Sequence, residues 1–388
     1  MTRLRLLSLV LHAVVALCLL PPLRAFAGLP AAAALAVWLV ASTVLLPLSL
    51  NTRHRQAGQG AVVLAWASLG AMGLFSSLFV LTVLRQVLLG LAWLATQAGA
   101  SALASGPAAA LAGPGAAAVP LLALALTAWG LYNARRPARV KRVEVPLQGL
   151  PPALHGFRIA QLSDVHVGPT IQGAWLRPLV ARVNALQADV VAITGDLVDG
   201  SVRDLAPHVA ELAALRSRHG TFFVTGNHEY YSGAASWIAE LRRLGVTVLM
   251  NEHVVLQHPS PQAPAHAPLV LAGVADWSAH HFDPAHRSDP RRAAAGAPAG
   301  APKVLLAHQP RSAEAAAQAG FDLQLSGHTH GGQFLPWNFF VPLQQPFVAG
   351  LHAVQRMWLY VSRGTGYWGP PKRLGAPSEI TELVLVPA

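Results

Sequence analysis

Phe157-Arg158-Ile159-Ala160-Gln161-Leu162-Ser163-Asp164-Val165-His166 reads as a short apolar strand running straight into an Asp-x-His loop, and this pattern decides the fold. The same texture recurs four times. Asp189–Thr194 runs into Gly195-Asp196, and Gly220–Thr225 into Gly226-Asn227-His228-Glu229. Lys303–Ala307 leads into His308, and Asp322–Ser326 into Gly327-His328-Thr329-His330. Five strands thus each end in a residue type that binds metals, and in open α/β sheets sites assemble at the carboxyl ends of strands.

Working outward, Pro268–Val274, Trp358–Ser362 and Ile380–Val386 also read as strands. Ala174–Gln187, Asp204–Ser217, Ala234–Leu244 and Arg311–Ala319 read as amphipathic helices between them. The alternation predicts an α/β domain with largely buried sheets. Two stretches rich in Pro and Ala, His258–Pro268 and Asp283–Pro302, read as mobile surface insertions.

The spacing has a chemical reading. Asp-x-His and His-x-His, where a strand gives way to a loop, can aim both side chains at one point. Glycines at 195, 226 and 327 let the backbone approach without a Cβ in the way. Carboxylate, imidazole and amide oxygen form a mixed donor set suited to two divalent ions drawn from Mn, Zn, Fe or Co. Seven donors are more than one ion needs, so two ions sharing a bridging carboxylate is the economical reading. Such a pair, about 3.5–4 Å apart, clamps a phosphoryl group and generates a hydroxide nucleophile at neutral pH.

Taken together, Asp164-x-His166, Gly195-Asp196, Gly226-Asn227-His228-Glu229, His308 and Gly327-His328-x-His330 resemble the five-block signature of the calcineurin-like metallophosphoesterases. The resemblance spans about residues 140–386, with Gly331-Gly332-Gln333 extending the last block, and is nearest to the bacterial membrane-associated branch that includes the YkuE and YaeI proteins. It implies two packed mixed β-sheets flanked by helices, with the site at one edge. It also implies that Asp164, His166 and His330 bind one metal, that Asn227, His308 and His328 bind the other, and that Asp196 bridges them. His228 would serve as general acid and Glu229 would orient it. The protein Ser/Thr phosphatases of this superfamily carry Arg where Gly200 stands, and the tyrosine of purple acid phosphatases is not evident near Asp196. Both classes are therefore disfavoured.

The N-terminal part is of another kind. Residues 1–143 contain no Asp or Glu, and all 17 acidic residues follow. Of the 28 Lys and Arg, 11 precede Glu144, leaving 17 against 17, so the +11 charge belongs wholly to the N-terminal part. Four apolar runs, Leu6–Leu23, Leu29–Leu50, Ala61–Leu84 and Ala116–Tyr132, approach the ~20 residues that span hydrocarbon. The expected organisation is a transmembrane helical region over 1–139 with about four spans, then a catalytic domain over 140–388. Arg3, Arg5, Arg53, Arg55 and the Arg135–Arg142 cluster would lie on one side, Arg24 and Arg85 on the other. That bias predicts a multi-pass protein of the inner (plasma) membrane with the catalytic domain in the cytoplasm. Basic residues that flank apolar runs fit anionic lipid better than nucleic acid.

The expected activity is hydrolysis of a phosphomonoester or phosphodiester, and membrane location suggests a lipid-linked phosphate. The competing reading is a membrane sensor or transporter with a regulatory α/β domain; it would call for ionisable residues within the spans, where only His12 stands out. His280, His281 and His286 read as solvated loop, and Asp199, Asp276 and Asp322 as turn formers or supports. Tyr230, Tyr231 and Trp237 could line a pocket or fill the core, and Arg363 is a candidate phosphate contact. The lone Cys18 precludes an intrachain disulfide.

Overall fold

The computed structural model describes residues 2–49, 58–99, 106–259 and 266–388. The chain divides into two units, Met1–Tyr132 with Gly369–Lys372, and Asn133–Trp368 with Arg373–Ala388.

In the second unit, period-two alternation lets each central strand serve two cores. In β3 (Val190–Thr194), Val190 and Ala192 face one cluster, Val191 and Ile193 another, and all four are fully buried. β3 lies in a six-stranded sheet with β1 (Arg139–Leu147), β2 (Arg158–Leu162), β4 (Thr221–Val224), β5 (Thr247–Val248) and β12 (Glu379–Pro387). Its order is β1-β12-β2-β3-β4-β5, with β2 to β5 parallel and β12 antiparallel to β2. A second six-stranded sheet holds β6 (Glu252–His258), β7 (Ala267–Gly273), β8 (Lys303–Leu306), β9 (Leu323–Ser326), β10 (Gly350–Val354) and β11 (Met357–Val361). Its order is β10-β11-β9-β8-β7-β6, with β7, β8, β9 and β11 parallel.

The sheets face one another across a core that includes Ile159, Phe222, Leu271, Leu306 and Leu325. Each such buried side chain contributes roughly 1.5–3 kcal/mol. Leu176, Val183, Trp237 and Leu241, from helices Gly173–Asn184 and Ala234–Arg243, cover the outer face of the first sheet. Ala313, Ala316 and Phe321 pack on the outer face of the second. The result is the expected pair of mixed sheets flanked by helices.

All eight anticipated strands form. The expected mobile stretch Asp283–Pro302 is corrected. Asn251 Nδ2 donates to Arg287 O (2.9 Å), Asp289 N to Asn251 Oδ1 (2.9 Å) and His253 Nδ1 to Ala293 O (2.8 Å), fixing a short helix, Pro290–Ala294, beside β6. Of the other expected insertion, residues 260–265 lie outside the described residues, as do Arg53 and Arg55.

The first unit is helical: Thr2–Ser49, Gln59–Gln97, the short Pro107–Ala112, and Pro114–Arg135. Three of these are long and apolar enough to cross a membrane. The first has 48 residues, about 70 Å of helix against ~30 Å of hydrocarbon, so it cannot be one straight span. It is broken at Gly28 (φ 84°), and His12 Nε2 lies 3.0 Å from Ser42 Oγ while Ser8 Oγ donates to Thr43 O at 3.1 Å. Residues 30 and 35 positions apart meet only if the chain doubles back, so the first two apolar runs form a hairpin. The third apolar run extends beyond Leu84, its helix continuing through Gln97 to a C-cap at Ala98. Leu17, Val37, Val40 and Leu121 point outward, as side chains that meet lipid do.

Arg85, counted above as a flanking charge, is instead buried within this unit. Its guanidinium donates to Leu111 O (2.9 Å) and Ala112 O (2.6 Å), satisfying carbonyls at the end of the Pro107–Ala112 helix, and to Cys18 O (3.2 Å). Lys372, from the short segment grouped with the helices, donates to Gly73 O (3.2 Å) and Thr127 Oγ1 (3.2 Å).

Candidate metal centre

The loops after β2, β3 and β4 in one sheet, and after β8 and β9 in the other, carry every residue singled out as a ligand. They are laced together by backbone bonds: Asp164 N to Gly195 O (3.1 Å), His166 N to Asp196 O (3.1 Å) and Gly327 N to His308 O (2.9 Å). The Asp164 carboxylate accepts from His328 N (2.9 and 3.1 Å), and Asp196 Oδ1 from His228 N (2.9 Å).

This lacing holds an unfavourable backbone. Asp164, His166, Asp196, His328 and His330 all have φ between 51° and 70°. Left-handed geometry costs an L-residue on the order of 1 kcal/mol, and its concentration at five side chains of one cluster is the mark of a functional constraint. Close approach accounts for two of the glycines. A Cβ on Gly226 would lie 2.2 Å from Asp196 Oδ1; one on Gly327 would lie 1.9 Å from Ser163 Oγ and 2.2 Å from Asp164 Oδ2. Gly327→Ala is therefore expected to displace Asp164 and His328, lowering metal occupancy and cutting turnover by about 10²-fold, as a 1 Å misplacement can. Metal stoichiometry and turnover measured on one preparation would check it.

The donors converge in three overlapping groups: Asp164, His166 and His330; His166, Asp196 and His228; and Asp196, His308 and His328. His166 Nε2 faces His330 Nε2 at 3.1 Å, with Asp164 Oδ1 3.5 Å from the latter. His308 Nε2 faces His328 Nδ1 at 3.2 Å, with Asp196 Oδ2 3.1 Å from the former. Ring nitrogens turned toward each other at such distances need a proton or a cation between them. His308 Nδ1 donates to Thr194 O (2.7 Å), so Nε2 is the atom turned to the cluster. Asn227 Oδ1 is buried with no hydrogen-bond partner, the state of an amide oxygen placed to bind a metal. The residues present therefore fit two divalent ions, with Asp196 shared by two of the three groups.

The charges agree. Burial, then the neighbouring His308, pushes His328 down to about 3, and burial with His166 and Arg373 holds His330 well below its ordinary value. Both rings are thus neutral, as ligands must be. Burial would also lower His308, but the charge and hydrogen bond of Asp196 outweigh it and raise the ring well above its usual range. A divalent cation would take the place of that proton.

The expected role of Glu229 is revised. Its Oε2 accepts from Gly226 N (2.6 Å) and Asp196 N (3.0 Å), and its Oε1 from Leu197 N (2.8 Å) and Val198 N (3.3 Å). Burial, then Asp196, lifts its carboxyl to about 8 against these donors. It braces the turn that presents Asp196. The carboxylate that holds His228 is Asp199, whose Oδ1 accepts from His228 Nδ1 and also from His166 Nδ1 (3.1 Å). Burial works to raise Asp199, but His166 and His228 outweigh it and keep it ionised. Asp199 was legible only as a support; its signal is its place three residues after Asp196.

Arg373 was not anticipated. Fully buried, it places Nη2 3.2 Å from His330 Nδ1 and donates through Nη1 to Arg363 O (2.6 Å) and His330 O (3.2 Å). Arg363, the sequence candidate, instead pairs with Glu379 (3.8 Å). Trp237 belongs to the core and Tyr230 is buried against His286 (3.0 Å), whereas Tyr231 is exposed with its ring 5.2 Å from that of His228. Trp368 stands 6.0 Å from the same ring. Among the described residues, His280, His281 and His286 join no metal-binding group.

The calcineurin-like phosphoesterase profile matches residues 157–332. The chain is 44% identical over 266 residues to the transmembrane protein with metallophosphoesterase domain of Bos taurus, covering 67% of this chain and 60% of that one. It is 30% identical over 249 residues to a metallophosphoesterase of Aquifex aeolicus, covering 64% and 91%. Against the metallophosphoesterase YkuE of Bacillus subtilis it is 29% identical over 283 residues, covering 68% and 93%. The chain belongs to the calcineurin-like phosphoesterase family. The match spans only 60% of the Bos taurus protein and 62% of a Danio rerio transmembrane protein with metallophosphoesterase domain. Animal and bacterial proteins alike are similar, so the family follows from the comparison and the bacterial branch does not.

Proposed function

We propose that this chain is a membrane-embedded hydrolase of phosphomonoesters or phosphodiesters. The observation that carries the reading is the convergence of facing imidazoles, two aspartates and the unpartnered Asn227 oxygen. Asp164, His166 and His330 would hold one divalent ion, Asn227, His308 and His328 the other, and Asp196 would bridge them. When bound, such ions offset charge on the phosphoryl oxygens and acidify the attacking water. His228, held by Asp199, gives a proton to the leaving oxygen or steadies the phosphoryl oxygens. Asp199 also fixes the His166 ring, and Glu229 keeps the Asp196 turn in register.

Residues 1–139 form the membrane region in this reading, crossing the inner membrane several times, with the catalytic domain of 140–388 on the cytoplasmic side. The substrate is a phosphoester carried on a lipid, and the ions are Mn, Zn, Fe or Co. Among the described residues, the ionisable groups buried among the helices are already occupied, His12 by Ser8 and Ser42, Arg85 by carbonyls and Lys372 by Gly73 O and Thr127 Oγ1, so nothing there favours transport.

The full chain in detergent, stripped with a chelator, is expected to lose hydrolysis of bis-p-nitrophenyl phosphate and p-nitrophenyl phosphate and to regain it with Mn²⁺, Zn²⁺ or Mg²⁺. A folded protein that binds no metal would overturn the proposal.

A further inference from the structure

The last metal-binding block is followed at once by Leu335-Pro336-Trp337-Asn338-Phe339-Phe340-Val341-Pro342-Leu343. Its apolar side chains do not go inside: Phe339 is 70% and Leu343 81% exposed, and Leu335, Trp337 and Phe340 are each exposed by more than two-fifths. Five large apolar side chains on nine consecutive residues exceed the scatter of single exposed residues ordinary for a soluble surface.

The segment is built rigidly onto the metal centre. At its start, Gln333 Nε2 donates to Trp368 O (2.8 Å) and Trp368 N to Gln333 Oε1 (2.8 Å), while the Trp368 ring meets His228. Asn338 packs so closely on Gly332 that a Cβ there would lie 2.1 Å from its Cα. At its end, Arg311 Nε donates to Gln344 O (2.8 Å), and Gln345 Nε2 to the side chain of Gln309 (3.1 Å), the residue after His308. Thr329, between the ligands His328 and His330, donates to Val348 O (2.6 Å). Two 3-10 turns, Trp337–Phe339 and Val341–Leu343, shape the part between.

Charge and composition select what covers these side chains. From Leu323 to Ser378 the chain has no Asp or Glu; of its basic residues there, Lys372 and Arg373 are buried and Arg363 pairs with Glu379, while Arg356 is exposed. Trp and Phe exposed on an acid-free stretch, in a chain that also carries membrane-length apolar helices, match the headgroup layer of a bilayer, where aromatic rings settle and no carboxylate repels lipid phosphates. A protein partner would more often meet a mixed polar rim. We infer that Leu335–Leu343 is a lipid-contacting loop that seats the metal centre against the membrane surface. The inference deepens the proposed function, on whose membrane assignment it rests, by giving the site direct access to a phosphoester held in the bilayer.

The test uses the full chain with Cys18→Ser, carrying an environment-sensitive fluorophore at Phe339→Cys or, for comparison, at the exposed Ala213→Cys. Each is reconstituted in vesicles of phosphatidylcholine and phosphatidylglycerol. The label at 339 is expected to lose about half its emission to lipids brominated in the acyl chain, as a group seated ~5–10 Å into the interface would, and to resist aqueous iodide. The label at 213 should behave oppositely. Iodide access at 339 equal to that at 213 would overturn the inference. So would protection from iodide without quenching by brominated lipid, which would mean that protein covers the loop. Turnover of bis-p-nitrophenyl phosphate by the same samples reports the hydrolase separately: its loss with quenching intact would sink the activity and leave the lipid contact standing.

Discussion

Asp196→Asn is expected to abolish phosphoester hydrolysis and to reduce bound metal from two equivalents toward one. The Asp196 carboxylate is shared by two of the three donor groups, with Oδ2 3.1 Å from His308 Nε2 and 3.9 Å from both His166 Nε2 and His228 Nε2. Burial works to raise its pKa, but His308 and His228 outweigh that and hold it ionised, so the site invests a buried charge at this point. Asparagine keeps the shape and can still accept from His228 N through one oxygen. It loses the charge and turns an N–H toward either His308 or the other donors. A drop in kcat of about 10³-fold or more, some 4 kcal/mol in the barrier, is the expected size for removing a bridging charge. Elemental analysis beside turnover of bis-p-nitrophenyl phosphate would measure both effects. A variant that holds two equivalents and keeps a tenth or more of the activity would show that Asp196 does not bridge.

The limits of sequence reading follow from burial. The eight anticipated strands include all the interior ones, where both faces are covered and nearly every position is apolar, as in β3 and β8. The four missed are β1, β5, β6 and β10, which are the two edges of each sheet. Edge strands are paired on one side and half exposed, so their composition carries polar residues, as in Glu252-His253-Val254-Val255-Leu256-Gln257-His258, or they shrink to two residues, as in β5. In the site, the converging donors were legible because Asp, His and Asn at strand ends have few other reasons to recur. The supporting contacts were not. Whether Glu229 or Asp199 faces His228 depends on where the turn after β3 points, and residue spacing does not encode that direction. Arg373 lies 43 positions from His330 in sequence and meets it only through the fold. In the helical unit the four apolar runs were visible, but the burial of Arg85 was not, since an arginine between two apolar stretches looks the same whether it caps a helix or ends a span.

His228→Ala should keep its metals and lose about 10²–10⁴-fold in kcat, the range for removing a positioned acid. The loss should also depend on the leaving group. A p-nitrophenolate departs without a proton, so the deficit should shrink for p-nitrophenyl phosphate and grow for phenyl phosphate. A role confined to steadying phosphoryl oxygens would instead lower both alike. Asp199→Asn separates the two tasks of that carboxylate, which touches His228 Nδ1 and His166 Nδ1 through one oxygen. At saturating metal its deficit should overlap that of His228→Ala, and the double variant should be hardly slower than His228→Ala alone, because the pair acts as a unit. Under limiting metal a second defect should appear, about 10–100-fold in affinity, since Asp199 also fixes the ring of a ligand. The groups of converging donors include His228 with His166 and Asp196, so distance alone would admit it as a ligand. If His228→Ala released one equivalent of metal and Asp199→Asn did the same, His228 would be a ligand. The proton for the leaving group would then have to come from elsewhere, with the exposed Tyr231, 5.2 Å from the His228 ring, the next group to change.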